Sequence, residues 1–86
     1  MTRLTVAELK EAIREALDNW DFEACDHYGS EQKEALERAY TNPIMLCHED
    51  KNGELYYEVS GKDIWDSLSI YAESTAANIA AARNGQ

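Results

Sequence analysis

Basic residues are scarce in this 86-residue chain: 8 Lys and Arg stand against 17 Asp and Glu, which gives a formal net charge of −9. Because Lys and Arg are what hold phosphates, so acidic a chain is not expected to bind nucleic acid, or an anionic membrane surface, through a broad basic face. Long hydrophobic runs are missing too. No run of aliphatic or Cys residues is longer than Ile44 to Cys47, far short of the roughly 20 residues that cross a bilayer.

Cysteine, proline and glycine are also rare, with two Cys, one Pro and four Gly. Two Cys do not make a disulfide framework, and no secretory signal is visible at the start of the sequence, so we expect a cytoplasmic protein. Hydrophobic residues make up 44% of the chain. Its length and composition therefore predict a single compact domain over residues 1–86 with a modest core.

The first predicted helix covers residues 6–20. Thr5 and Glu8 have the spacing of a capping box, in which each side chain satisfies a free backbone N–H of the first turn. Apolar residues then recur three and four positions apart, which is typical of a helix with one buried face. They are Val6, Leu9, Ala12, Ile13, Ala16, Leu17 and Trp20.

A second helix is predicted over residues 31–41, with Ser30 as its N-cap and Asn42-Pro43 as its stop. The preceding segment is ambiguous. It either extends the first helix to about Tyr28, with Gly29 ending it, or bends near Asp21. A third helix is predicted over residues 62–83, with Ser60 as a plausible cap. Its inner face would carry Ile64, Leu68, Tyr71 or Ala72, Thr75 and Ile79.

Between the second and third helices the hydrophobic period changes from helical to alternating. Residues 44–48 and 54–59 are short runs rich in strand-forming residues, and Asn52-Gly53 between them indicates a type I′ hairpin turn. A two-stranded hairpin is not stable by itself and must pack against helices. The predicted fold class is therefore α+β, with two N-terminal helices, a β-hairpin and a C-terminal helix on one core.

Two segments resemble metal sites, and neither is expected to bind a metal. Cys25, His27, Cys47 and His48 are of the types that bind zinc, but adjacent residues on a strand point to opposite faces, and the spacing is not that of a structural zinc site. The hairpin loop resembles an EF-hand loop only partly. It would have His48 at position one and Val59 at position twelve, where calcium needs carboxylates.

An enzyme is not expected either. Neither His lies in an HExxH motif, no Ser lies in a GxSxG motif, and the sequence has no Gly-rich phosphate loop. A Cys25 nucleophile with His27 or His48 as its base is formally possible. The length of the chain, however, leaves little room for a deep substrate pocket.

The acidic residues are unevenly distributed, and this is the main functional indication in the sequence. No basic residue lies between Arg14 and Lys33. The first predicted helix places four carboxylates three and four residues apart on one face, and three more follow it beside Trp20. These eight residues form the candidate partner-binding set: Glu8, Glu11, Glu15, Asp18, Trp20, Asp21, Glu23 and Asp26.

A solvated face that keeps the protein soluble would explain such a set, although mixed charges serve that purpose better than a field of one sign. In size and charge the chain resembles small acidic proteins that block a basic surface. Examples are phage anti-restriction and anti-CRISPR DNA mimics, and immunity proteins that plug nuclease toxins. The resemblance involves no shared motif and transfers no residue roles. It implies an inhibitor that occupies the basic surface of a nucleic-acid-binding protein, in a bacterial host cell if the chain is phage-encoded.

Two alternatives remain open from the sequence. One is an immunity-type or adaptor protein that recognises a single basic partner by shape, with Trp20, Trp65 or a Tyr as anchor. The other is a small metal-binding regulatory domain that uses the four Cys and His residues named above. The oligomeric state and the identity of the target do not follow from the sequence.

Overall fold

The computed structural model describes residues 2–25 and 27–85, which form three α-helices and a three-stranded antiparallel sheet. The elements follow the chain in this order: β1 Arg3–Leu4, α1 Val6–Asn19, a 3₁₀ turn Phe22–Ala24, α2 Gly29–Thr41, a second 3₁₀ turn Pro43–Leu46, β2 His48–Glu49, β3 Leu55–Glu58 and α3 Ile64–Asn84. The α+β class predicted from the sequence is confirmed.

Helix α1 begins where the capping box predicts. The Oγ1 of Thr5 accepts a hydrogen bond from the Glu8 N–H at 3.1 Å, and Glu8 Oε1 accepts one from the Thr5 N–H at 2.8 Å. Leu9, Ile13 and Ala16 on its apolar face are completely buried. Because the cap and the apolar period agree, the first helix is predicted to within one residue of its observed end.

The segment after α1 bends rather than extending the helix. Trp20 has extended backbone angles and ends α1, and the 3₁₀ turn follows directly. Gly29 opens α2 instead of ending the helix before it, so that alternative is wrong. The prediction of Ser30 as N-cap is also wrong. Tyr28 occupies the cap position, in a left-handed conformation and without a side-chain cap.

The sheet has β3 at its centre, with β1 on one side and β2 on the other. Leu4 pairs with Tyr57, and Glu49 pairs with Leu55. The two predicted hairpin strands do pair, but the first is shorter than predicted. Pro43 begins a 3₁₀ turn that keeps residues 44–46 out of the sheet, because a proline with its fixed φ readily starts such a turn. Strand β1, with only two residues, has no detectable period in the sequence.

The hairpin turn is not the predicted type I′ turn. That type requires positive φ at both central residues, and within the described chain Tyr28 is the one non-glycine residue with positive φ. Instead the Gly53 N–H donates to the Asp50 carbonyl at 3.0 Å, and Gly53 itself has a φ of 82°. This is the pattern of a three-residue loop that ends in a glycine bulge. Asp50 Oδ1 holds the loop by accepting from the N–H groups of Asn52 and Glu54.

Helix α3 packs chiefly on α2, and the core lies between these helices, α1 and the sheet. Its cap is Asp63, which accepts from the Asp66 N–H at 2.8 Å, rather than the predicted Ser60. Of the predicted inner face, Leu68, Ala72 and Ile79 are buried. Alanines line both helices where they meet, which allows close approach of the two backbones. The buried ones are Ala35, Ala39, Ala72, Ala76 and Ala80.

Candidate partner-binding surface

The carboxylates of α1 lie on the exposed side of the helix, as their spacing predicts. Glu8, Glu11, Glu15 and Asp18 are all exposed. Three of them, however, already have partners within the chain. Glu8 closes the capping box, while Glu11 and Asp18 both bind Arg14, the latter with an N–O distance of 2.8 Å. The Arg14 hydrogen bond lowers the pKa of Glu11 below its usual range. Only Glu15 of this helix keeps an uncommitted carboxylate among the described contacts.

Directly after α1, an aromatic cluster forms around Trp20. The ring of Trp20 meets Trp65 of α3 edge-on, with centroids 6.3 Å apart, and lies 6.2 Å from the ring of Phe22. Phe22 is buried, whereas Trp65 keeps 39% of its surface exposed. Such tilted pairs are the geometry that aromatic rings prefer. Trp20 is therefore a half-buried, rigidly supported ring rather than a freely exposed anchor.

An open groove of about 970 Å³ lies beside this cluster, and more of its surface is apolar than polar. One wall comes from the end of α1 and the 3₁₀ turn, and the other comes from the middle of α3. Ser69, Glu73 and Ala77 lie four residues apart on α3 and so present one helical face to the groove. The remaining lining residues are Asn19, Trp20, Asp21, Phe22, Cys25, His27, Tyr28 and Gln32.

Two carboxylates line this groove, and neither is engaged within the chain. In residues 2–25 and 27–85, the side chains of Asp21 and Glu73 make no hydrogen bond or ion pair, and both residues are exposed. Glu34, by contrast, binds both Arg38 and Arg83. Glu73 was not a candidate from the sequence. A helical period does not show that residues of α3 line the same groove as Asp21.

The backbone of this region is tightly constrained at Gly29. A Cβ placed there would lie 1.9 Å from the Phe22 carbonyl oxygen, so only glycine fits where α2 starts against the 3₁₀ turn. Tyr28, the residue before it, has a φ of 57° and leaves 47% of its surface exposed at the groove. The left-handed conformation costs an ordinary residue about 1–2 kcal/mol. The tight start of α2 thus fixes Tyr28 at the edge of the groove.

Of the predicted set, the structure separates two groups. Trp20, Asp21 and Glu23 belong to the bend after α1, and all three line a second, smaller groove together with Lys33. The four acids of α1 form the adjoining helical face. Asp26 lies outside the described residues. Two members of the set, Trp20 and Asp21, line the main groove, whereas its α3 residues were not among the candidates.

The four residues of the metal alternative are not brought together. Among residues 2–25 and 27–85, no three His, Cys, Asp or Glu side chains are grouped so that they could hold a metal ion. Cys25 is exposed, with its Sγ 3.8 Å from the Asp21 carbonyl oxygen. Cys47 is partly buried, which raises the pKa of its thiol. His48 packs against Tyr56, with ring centroids 5.7 Å apart.

No protein-family model, curated protein or solved structure matches the chain. Within the described residues, no helix combines the length and the apolar character that a membrane crossing requires.

Proposed function

We propose that the chain is a small non-enzymatic inhibitor, acting in the cytoplasm, that binds the basic surface of a nucleic-acid-binding protein in place of DNA or RNA. This is the mode of action of phage anti-defence proteins of the DNA-mimic type. One observation carries the proposal. The exposed face of α1 and the bend after it present six described carboxylates, and no basic residue lies between Arg14 and Lys33.

The spacing of these charges supports mimicry of a phosphate backbone. Carboxylates one helical turn apart are separated by about 5.4 Å, and DNA carries a phosphate about every 3.4 Å of axis per strand. The densities of negative charge along the two are therefore comparable. Arg14 neutralises part of the field, since it binds Glu11 and Asp18. Of the other nearby cations, Lys10 is held over the ring of Tyr40 at 4.9 Å, and Lys33 lines the smaller groove with Asp21 and Glu23. The six carboxylates still outnumber Arg14 and Lys33, so the surface available to a partner is negative toward the end of α1.

Binding by this surface would be fast at low salt and weak at high salt. Exposed charges steer association over a Debye length of about 8 Å at physiological ionic strength, and added salt shortens that range. A rigid aromatic cluster next to the charges would supply the buried contact that pure charge attraction lacks.

The test uses the full chain as bait in extracts of the native cell, followed by identification of the captured partner. We expect that partner to bind nucleic acid, and we expect a DNA or RNA duplex to displace the chain from it. A partner that no nucleic acid displaces would overturn the mimic and would support the adaptor alternative.

Matched variants separate a specific surface from net charge. One variant carries Glu15→Gln, Asp21→Asn and Glu23→Gln, and its control carries Glu37→Gln, Glu49→Gln and Glu54→Gln. Both sets remove three negative charges from exposed side chains that make no described ion pair. We expect the first set to lose partner binding and the second to keep it. Equal loss would indicate a diffuse charge effect.

A further inference from the structure

We propose that the groove beside Trp20 is the seat of an arginine side chain from the protein partner. This inference rests on the proposed function, because it names the group of the basic partner that the chain recognises. It concerns a site that includes Glu73, which lies outside the candidate partner-binding set, and it predicts a selectivity that net charge alone does not provide.

The charge of the groove calls for a cation. No Lys or Arg is among its lining residues, and the two carboxylates that line it, Asp21 after α1 and Glu73 of α3, are free of ion pairs within the described chain. An anionic or purely apolar occupant would leave those carboxylates repelled or desolvated without compensation. A cation seated in the groove would offset the negative charge of its lining.

The rings of the groove select arginine over lysine. Trp20, Phe22 and Tyr28 line it, and Trp20 is held in place by its edge contact with Trp65. A guanidinium is planar and weakly hydrated, so it stacks on aromatic faces and binds carboxylates with two parallel hydrogen bonds. A lysine ammonium is compact and strongly hydrated, and gains less from the same surroundings. The chain already contains one such stack, with the Arg3 guanidinium 4.2 Å from the centroid of the Tyr56 ring.

A groove that receives arginine suits a partner that binds nucleic acid. Proteins that hold phosphates commonly do so with arginine, because its fork matches the phosphate oxygens. The acids of α1 would then attract the basic surface, and the groove would fix its position by receiving one side chain.

The experiment titrates the full, isotopically labelled chain with oligo-arginine and oligo-lysine peptides of equal length, followed by NMR. We expect the arginine peptide to bind several-fold to about tenfold more tightly, as a desolvated cation–π contact allows. Its shifts should centre on the Trp20 indole N–H and on the amides of Asp21, Tyr28, Ser69 and Glu73. Equal affinities, or shifts confined to other surfaces, would overturn the inference.

Matched variants locate the selectivity. Asp21→Asn with Glu73→Gln should remove the preference for arginine, whereas Glu49→Gln with Glu54→Gln, which removes the same charge outside the groove, should retain it. Tyr28→Asn should weaken the preference too, since Asn accepts the left-handed backbone of this position. Ile70→Gln is its control, because Ile70 is 51% exposed and does not line the groove.

The two proposals fail in different ways. A chain that prefers the arginine peptide at this groove, but whose captured partner is not displaced by nucleic acid, would contradict the mimic and support the groove. A chain that competes with nucleic acid for its partner, but binds the two peptides equally, would contradict the groove and leave the mimic standing.

Discussion

The phenol oxygen of Tyr57 lies 2.6 Å from the Oγ of Ser67, which joins the central strand β3 to helix α3. Both residues are buried, with 8% and 2% of their surfaces exposed. The same Ser67 Oγ accepts from the backbone N–H of Ser60 at 3.0 Å and lies 3.1 Å from the Ser60 Oγ. One serine hydroxyl thus connects the sheet, the loop before α3 and α3 itself.

Ser67→Ala should therefore destabilise the protein by about 1–3 kcal/mol, because it leaves the buried Tyr57 hydroxyl and the Ser60 N–H without their partner. Tyr57→Phe should cost less, since Ser67 keeps both contacts with Ser60. Urea unfolding measures the two costs. Ser74→Ala, at an exposed position of the same helix, is the control and should change stability by no more than about 0.5 kcal/mol. Equal costs at positions 67 and 74 would contradict the role of the network.

Gly29→Ala should destabilise the protein by about 1–3 kcal/mol, the usual cost of forcing an extra group into a packed site. The added methyl would lie 1.9 Å from the Phe22 carbonyl oxygen, so the 3₁₀ turn or the start of α2 must move. Thermal unfolding measures the loss, and amide shifts of Asp21 and Tyr28 report the movement. Ser30→Ala, one residue later and exposed, should leave both nearly unchanged. An unaltered melting temperature for Gly29→Ala would show that the contact is not as tight as observed.

Gly53→Ala should cost about 1–2 kcal/mol, since position 53 has a φ of 82° and an alanine there is strained even in open space. Asn52→Ala should change stability by no more than about 0.5 kcal/mol, because Asn52 has no positive φ. Chemical denaturation of the two variants compares them directly. A type I′ turn would make both substitutions costly, so a large effect at position 52 would contradict the observed loop.

Glu34 should titrate below the usual range of a glutamate. Its hydrogen bond from Arg83, at 2.7 Å, lowers the pKa of this carboxyl, and Arg38 adds to the effect. The folded-state pKa lies below the unfolded one, so this contribution to stability is complete above the unfolded pKa and is lost as the pH falls through the folded pKa. Carboxyl carbon NMR should show the Glu34 pKa rising toward its ordinary value in Arg83→Gln.

The same variant should lose less stability than the wild type when the pH is lowered through the carboxylate range. Lys62→Gln removes a positive charge from an exposed residue whose side chain makes no ion pair among the described residues, and it should leave the Glu34 pKa unchanged. A Glu34 pKa that is the same in all three proteins would contradict the ion pair between α2 and α3.

Local chemistry determined much of the fold from the sequence alone. The capping box of Thr5 and Glu8 and the apolar period after it act within a few residues, so α1 was predicted almost to its ends. The proline that ends the second helix at Pro43 and the alternating hydrophobic residues before Val59 are equally local signals. They indicate where the helices end and the sheet begins. The exposed acids of α1 followed from the same helical period.

Tertiary packing decided what depends on residues distant in sequence. The two-residue strand β1 exists because β3 offers it an edge with which to pair. Position 29, where α2 begins, requires glycine because the Phe22 carbonyl leaves no room for a Cβ. The groove likewise needs α3 to bring Glu73 into the same lining as Asp21, some fifty residues away in the chain. Periodicity indicates which face of a helix is buried, but the position of one helix against another is set by side-chain volumes, and here by the alanines that allow α2 and α3 to approach closely.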